Sequence, residues 1–278
     1  MRVESYEASM KDLDIPPRPD VVTILFYEMG HDEPDLDRVG KAIAKDPGLA
    51  AGLLRAANSP FFGLNCAVSS VPRAISVLGL KHVANIATGL ALRFAMSQGE
   101  KARRYERFWD TAEKSALIGH YLAEKLRGIA ADEAYTFGLF HDCGIPLLMP
   151  RFPRYEETLK RANEAAGVGF TKVEEAEIGT SHNIVGYFLG RSWSLSADMC
   201  QAILRHHEVM VFEDTALPGN VLSLIGVGHL AHHALQLTMR SSEDVEWSKF
   251  QTAVMRHFAL TDEDLLNLLD GAQAVLSR

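Results

Sequence analysis

Apolar residues recur at helical spacing along most of the chain. Leu36, Val39 and Ile43 form one such run, and Asp35 stands directly before it, where a side chain can accept hydrogen bonds from the free N–H groups of a helix start. No stretch of the sequence shows the sustained alternation of β-branched residues that is typical of a half-buried strand. The sequence therefore predicts an all-α protein.

Several of the predicted helices have recognisable starts. Each follows a capping residue. In one case a proline directly after the cap reinforces the helix start, and in another an acidic residue three positions after the cap does so. We expect caps at Asp20 for residues 21–29, at Asp46 with Pro47 for the helix that follows, at Ser196 for residues 197–205, and at Thr261 with Asp264 for residues 262–276.

Length and charge limit the architecture and the partners. The chain has 278 residues, of which 47% are hydrophobic, enough for one large or two small domains. We expect two packed helical bundles, residues 1–97 and residues 98–278, with the carboxy-terminal helices closing one side. The net charge of -8 argues against direct binding of nucleic acid.

The cysteines and the apolar stretches indicate the compartment. Cys66, Cys143 and Cys200 are widely spaced and form no CxxC pair, which favours a reducing, cytoplasmic location. The chain begins without an apolar signal core, and histidines interrupt its most apolar long stretch, residues 221–237. We therefore expect a cytoplasmic protein that has no contact with the membrane.

The stretch 137–144 places a charged pair at the end of an apolar helix. Its apolar residues run into His141 and Asp142, and Gly144 closes the segment. Burying a carboxylate costs several kcal/mol unless it is paired or binds a metal, so Asp142 needs a partner. A His-Asp pair that only caps the helix is the simpler interpretation.

Four histidines stand at the ends of predicted apolar helices: His141, His182, His206 and His207. A helical bundle can bring them together with Asp142, and imidazoles with a carboxylate suit a divalent transition metal such as zinc, iron, manganese or nickel. A hydrogen-bonded His-Asp cluster without metal is the alternative. The sequence indicates no functional role for His31, His82, His120, His229, His233 and His257.

Several motifs, in this order along residues 15–207, resemble the HDOD family, a signalling branch related to the HD-domain metal-dependent phosphohydrolases. The amino-terminal motifs are Asp46-Pro47, the segment 53–59 and the segment 74–79; the later ones are Phe108-Trp109, the segment 138–144, Glu177 with His182, and the segment 203–207. The resemblance implies an all-helical fold of two packed bundles, a cytoplasmic location and a role in signal transduction.

The chain also departs from the hydrolase pattern implied by this resemblance. Thr111 stands where hydrolases have a histidine, His232 where they have an aspartate, and Ile145-Pro146 where a basic residue is common. The Gly-Tyr-Pro signature of the relatives that cleave cyclic dinucleotides is absent after His207. The ligand set of a hydrolase therefore looks incomplete.

Two functions of different class remain open. The first is a non-catalytic signalling module that acts through protein partners and holds at most one metal ion at His141, Asp142, His182, His206 and His207. The second is a metal-dependent phosphohydrolase that acts on a nucleotide or another phosphoester. The missing ligands favour the first function.

Overall fold

The computed structural model describes residues 13–59, 62, 64, 67–96, 105–239 and 244–277. Within these ranges the regular structure is helical and no residue lies in a β-strand, so the predicted all-α class is confirmed. The chain separates into two compact units, residues 16–106 and residues 107–277, and residues 13–15 group with the second. The predicted boundary after Ser97 lies in a stretch outside the described residues.

The first unit contains five helices within its described residues: α1 (Asp20–Met29), α2 (Leu36–Ala44), α3 (Pro47–Ala57), α4 (Val71–Leu78) and α5 (Leu80–Met96). Helix α5 is central, because α1, α3 and α4 all pack against it. Its residues Val83, Ala84, Ala87 and Leu92 are fully buried. Small side chains at two of these four positions allow the neighbouring helices to approach closely.

The second unit contains the remaining described helices: α6 (Glu106–Lys125), α7 (Ala131–Phe140), α8 (Ile145–Leu148), α9 (Tyr155–Glu164), α10 (Phe170–Ile178), α11 (His182–Ser192), α12 (Ala197–Arg205), α13 (Gly219–Met239), α14 (Val245–Phe258) and α15 (Asp262–Leu276). Helix α13 is central here, with α7, α12, α14 and α15 packed around it. Val221, Ile225 and Leu230 of α13 are fully buried. A helix that is buried on most sides needs an apolar surface all round, as this sequence has.

Most of the predicted helix starts are confirmed. Asp35 accepts a hydrogen bond from the backbone nitrogen of Arg38 at 2.9 Å, and Thr261 and Asp264 form the expected capping box. Asp46 and Ser196 also cap their helices. The prediction for Asp20 was wrong: Asp20 is already the first helical residue, and the preceding proline occupies the cap position without a side-chain hydrogen bond.

Among the described residues, no helix is both long enough and apolar enough to cross a membrane. Cys143 and Cys200 are buried free thiols, whereas Cys66 lies outside the described residues.

Candidate metal centre

Close backbone packing fixes the turn that carries the His141-Asp142 pair. His141 is the C-cap of α7, and Gly144 packs against His182, the first residue of α11. A Cβ atom on Gly144 would overlap the carbonyl oxygen of His182. Glycine at this position therefore allows the turn to bring Asp142 next to His182.

Three helix ends supply the histidines around Asp142. His182 begins α11, His206 is the C-cap of α12 and His207 follows it, whereas His141 precedes Asp142 in the chain. The fold thus brings together all five residues that the sequence singled out, although they come from three separate segments.

Asp142 is the residue that three of these histidines share. Its Oδ1 lies 3.3 Å from Nε2 of His182 and 3.4 Å from Nε2 of His206, and its Oδ2 lies 3.3 Å from Nε2 of His141. Burial alone would raise the pKa of Asp142, but the charge of His141 and hydrogen bonds from the three histidines hold this pKa well below its usual range. The carboxylate is therefore ionised and has a partner on each oxygen.

One group of four side chains at this cluster could hold an ion: Asp142, His182, His206 and His207. Each offers one ligand atom, and these four atoms lie within 4.8 Å of one another. His141 is outside this group and contacts the second oxygen of Asp142. Burial lowers the pKa of His141, but the charge of Asp142 and the hydrogen bonds with Asp142 and the backbone of Phe137 together outweigh burial and leave this pKa raised. In this arrangement His141 is an ion-pair partner of Asp142.

The other ring nitrogen of each clustered histidine has its own acceptor. Nδ1 of His182 lies 2.8 Å from Glu174, Nδ1 of His206 lies 2.7 Å from the carbonyl oxygen of Ile203, and Nδ1 of His207 lies 2.7 Å from Glu246. A ring nitrogen that faces an acceptor carries the hydrogen, so the lone pair of each neutral ring is on Nε2. Nε2 of His182 and Nε2 of His206 therefore both lie beside Oδ1 of Asp142, which is the arrangement that outer hydrogen bonds give to metal-binding histidines.

Without a metal ion, the cluster has to hold a proton. Burial lowers the pKa of His182, but the charge of Glu174 and the hydrogen bond with Asp142 outweigh burial and raise this pKa to about 10. Burial lowers the pKa of His206, and burial together with the charge of His206 lowers that of His207 well below its usual value. The cationic ring of His182 thus lies between the carboxylates of Asp142 and Glu174, and a metal ion bound there would displace its proton.

A fully buried glutamate orients His182. Glu174 contacts Nδ1 of His182, accepts a hydrogen bond from the backbone nitrogen of His182 at 3.4 Å, and accepts a short hydrogen bond from the hydroxyl of Tyr155. Glu177, which stands with His182 in the family motif, lies one turn later on α10 and contacts Arg161 and Thr158 on the outer side of the helix.

The cluster faces a cavity of about 120 Å³, which two further histidines line. Nε2 of His229 lies 2.8 Å from the carbonyl oxygen of His206, so His229 holds the end of α12 in place, a role that the sequence did not indicate. His232 also lines the cavity, and its Nε2 lies 3.0 Å from the amide nitrogen of Gln236. Their helical spacing with Ile225 on α13 is the sequence signal that could have placed them here.

The threonine at the expected position of a hydrolase ligand does not face the cluster. Thr111 is exposed on α6, and its hydroxyl donates a hydrogen bond to the carbonyl oxygen of Arg107 at 2.9 Å. The hydroxyl of Thr111 is therefore already hydrogen-bonded within its own helix.

Comparisons with known proteins identify similar chains. An uncharacterised protein of Treponema pallidum (strain Nichols) is 21% identical over 198 residues, which cover 70% of this chain and 38% of that protein. The chain thus aligns with well under half the length of this curated relative. A crystal structure of an HDOD domain protein with unknown function from Geobacter sulfurreducens matches with a TM-score of 0.74 and 22% identity, covering 99% of this chain and 95% of that one.

A second solved structure carries a different functional name. It is a protein from Shewanella amazonensis SB2B that is provisionally named a phosphohydrolase, with a TM-score of 0.70, 20% identity, and coverage of 98% of this chain and 93% of that one. Both structural likenesses show the shared fold. The family model of the HDOD domain matches residues 15–209, well over half of the chain, and the protein therefore belongs to the HDOD domain family.

Proposed function

We propose that this protein is a non-catalytic signal-transduction module whose HD site holds one divalent metal ion. The observation that carries the metal part is the convergence of an Asp142 oxygen with one ring nitrogen from each of His182, His206 and His207, all within 4.8 Å of one another. Those nitrogens carry the free lone pairs, since each Nδ1 already faces an acceptor. A bound cation would satisfy all of these donors at once.

The chemistry of the four ligand atoms limits which metal ions the site would bind. Three imidazole nitrogens and one carboxylate oxygen suit zinc, iron, manganese or nickel, whereas calcium and magnesium prefer oxygen ligands. A bound ion would supply Lewis-acid character beside the cavity that Asp142, His206 and His207 line. His182 and His206 would hold it from two helix ends, and Glu174 would keep His182 in the correct orientation.

Two observations support the non-catalytic part. Hydrolases with two metals hold both the attacking and the leaving oxygen of the phosphoester, so they need ligands for a second ion. Thr111 is exposed and bonded to its own helix, and His232 is paired with Gln236 on α13. Neither side chain replaces the ligand that the hydrolase pattern would supply there.

A signalling module without its own catalytic step acts by changing its contacts with other proteins. The partners in this proposal are signalling proteins, and the site of action is the cytoplasm. The net charge of -8 supports the choice of protein rather than nucleic acid as the partner.

The alternative is a metal-dependent phosphohydrolase, which the cavity beside Asp142 favours because a substrate could reach a metal held there. Hydrolysis assays separate the two functions. The full chain, supplied with manganese, iron or zinc, is offered cyclic dinucleotides, nucleotides and a generic phosphoester. We expect no turnover above background. Turnover that Asp142→Ala abolishes would establish the phosphohydrolase instead.

A further inference from the structure

Glu174 joins the metal cluster to a helix that supplies no candidate ligand. One oxygen of this fully buried side chain lies 2.8 Å from Nδ1 of His182, at the start of α11. The other oxygen accepts the short hydrogen bond from the hydroxyl of Tyr155. Tyr155 begins α9, which packs against α10, the helix that carries Glu174. Three consecutive helices therefore contribute to the position of one imidazole ring.

The phenol of Tyr155 is held firmly and keeps its proton. Tyr155 is buried in an apolar cluster that includes Leu148, Ile184 and Leu204. Burial and the charge of Glu174 raise the pKa of Tyr155 well above its usual value. The hydroxyl therefore remains a donor, and close packing around the ring fixes the place from which it donates.

The hydrogen bond from Tyr155 is the stronger of two restraints on the same oxygen of Glu174. This oxygen also lies 3.4 Å from the backbone nitrogen of His182, which is long for a hydrogen bond. A buried carboxylate oxygen that lost its close donor would turn towards another donor, because an unsatisfied polar atom in the core is costly. Such a turn would also move the oxygen that faces Nδ1 of His182.

The position of Glu174 matters for metal binding because a ligand that is already oriented binds more tightly than one that binding must order. Without the hydroxyl of Tyr155, the carboxylate of Glu174 would hold the ring of His182 less well in the metal-free chain. Binding of an ion would then have to restrict this ring as well. The hydroxyl thus affects the affinity of the site, although it lies two contacts away from the ring.

From these contacts we propose that Tyr155 is a positioning residue of the metal site, whose hydroxyl holds Glu174 and thereby keeps His182 in the orientation that binds the ion. The proposal rests on the metal site of the proposed function and adds to it a residue from outside the ligand set. It predicts that removal of one buried hydroxyl, with no change in charge, weakens metal binding.

The test compares Tyr155→Phe with a matched control, Tyr187→Phe. Tyr187 lies in the same apolar cluster and on α11 itself, but its hydroxyl accepts a hydrogen bond from Arg191 at 3.1 Å. The full chains are titrated with cobalt, whose visible absorption reports the geometry of its ligands. We expect Tyr155→Phe to bind cobalt about three- to tenfold more weakly than the wild type, with a changed spectrum, which is the net effect of one hydrogen bond. Tyr187→Phe should match the wild type in both.

A double-mutant cycle shows whether Tyr155 acts through Glu174. Tyr155→Phe is combined with Glu174→Gln, and the cobalt affinities of the two single variants, the double variant and the wild type are compared. In the Glu174→Gln background we expect Tyr155→Phe to cost less than about twofold in affinity, because the charged acceptor of the hydroxyl is gone. Losses that simply add would overturn the proposal, since the hydroxyl would then act independently of Glu174.

A variant that retains a donor provides a test that does not depend on the folding of Tyr155→Phe. Replacement of Tyr155 by para-aminophenylalanine keeps a ring of the same size and puts an N–H donor, weaker than the hydroxyl, in the same place. We expect its cobalt affinity to lie between those of the wild type and Tyr155→Phe. If Tyr155→Phe does not fold, an affinity equal to that of the wild type in this variant overturns the proposal.

The outcomes separate this proposal from the proposed function. A wild type that binds cobalt, with Tyr155→Phe and Tyr187→Phe equal to each other in affinity and spectrum, overturns the positioning role and leaves the metal site standing. A folded wild type that binds no cobalt overturns both proposals. A selective loss in Tyr155→Phe that disappears in the Glu174→Gln background supports both.

Discussion

Nε2 of His182 lies 3.3 Å from Nε2 of His206, and each of these nitrogens lies within 3.4 Å of Oδ1 of Asp142. Two lone pairs this close repel each other unless a cation lies between or beside them. The hydrogen bonds to Nδ1 prevent the rings from turning these lone pairs away. A proton on Nε2 of His182 removes this repulsion, because the N–H can donate a hydrogen bond to Nε2 of His206, and a bound metal ion would remove it by accepting both lone pairs.

Glu174→Gln tests the orientation of His182. The amide is nearly isosteric but loses the charge that holds Nδ1 of His182 at 2.8 Å. We expect the affinity for zinc or manganese to fall by about 10- to 100-fold, as for other outer-shell partners of metal-binding histidines. Glu177→Gln is the matched control on the same helix, because Glu177 contacts Arg161 instead. Equal losses in the two variants, measured by metal titration, would contradict the role of Glu174.

The choice between these two glutamates shows where the sequence was insufficient. Glu174 and Glu177 lie three residues apart on α10, so helical periodicity gives them neighbouring positions and does not decide which one faces the core. That decision depends on Tyr155, whose hydroxyl contacts Glu174 from the neighbouring α9. A contact between two helices has no local sequence signal.

The local features were predictable because their causes are local. The helix starts at Asp35 and Thr261 follow from side chains that bond backbone groups three residues away. The five residues His141, Asp142, His182, His206 and His207 could be singled out because each stands at the end of an apolar run. Their distances, and the partners of each Nδ1, depend on how α7, α11 and α12 pack.

Gly144→Ala tests the packing that brings the His-Asp turn to α11. A Cβ atom on Gly144 would overlap the carbonyl oxygen of His182, which is backbone and cannot rotate away. We expect the free energy of unfolding to fall by about 1–3 kcal/mol or more, together with a loss of metal affinity. Gly167→Ala is the control, since nothing lies near its added atom. Chemical denaturation measures both variants, and an unchanged Gly144→Ala would show that the turn is placed differently.

Thr261→Ala tests a feature that the sequence alone predicted. The hydroxyl of Thr261 accepts a hydrogen bond from the backbone nitrogen of Asp264 at 3.1 Å. Its loss should lower the free energy of unfolding by about 0.5–2 kcal/mol. Thr252→Ala, at an exposed position inside α14, should be neutral or slightly stabilising because alanine favours helices. Thermal denaturation measures the melting temperatures of both variants. Equal shifts in the two variants would contradict the capping role of Thr261.

His257 makes the stability of the fold depend on pH. Partial burial lowers the pKa of His257, whose Nε2 lies 2.9 Å from the hydroxyl of Ser223. Because the unfolded chain binds this proton more readily, the contribution of His257 is fully present above about pH 6.5 and is lost as the pH falls below that value. We expect His257→Gln to lose less stability than the wild type between pH 7.5 and pH 5. Parallel urea titrations at the two pH values check this, and equal losses would contradict it.

The most direct test of the account is the number of metal ions that the full chain binds. Protein stripped with a chelator is dialysed against zinc or manganese, and metal and protein are then quantified for the wild type, Asp142→Asn and the control His31→Gln, whose imidazole lies on the first unit. We expect one ion per chain in the wild type and the control, and a large loss of bound metal in Asp142→Asn. Metal at roughly a hundred times its dissociation constant should stabilise the wild type by about 2.7 kcal/mol. At about 2–4 °C per kcal/mol, the melting temperature of the wild type should rise by several degrees. A folded wild type that binds no stoichiometric metal, or an Asp142→Asn variant that binds it unchanged, would contradict the metal centre proposed for Asp142, His182, His206 and His207.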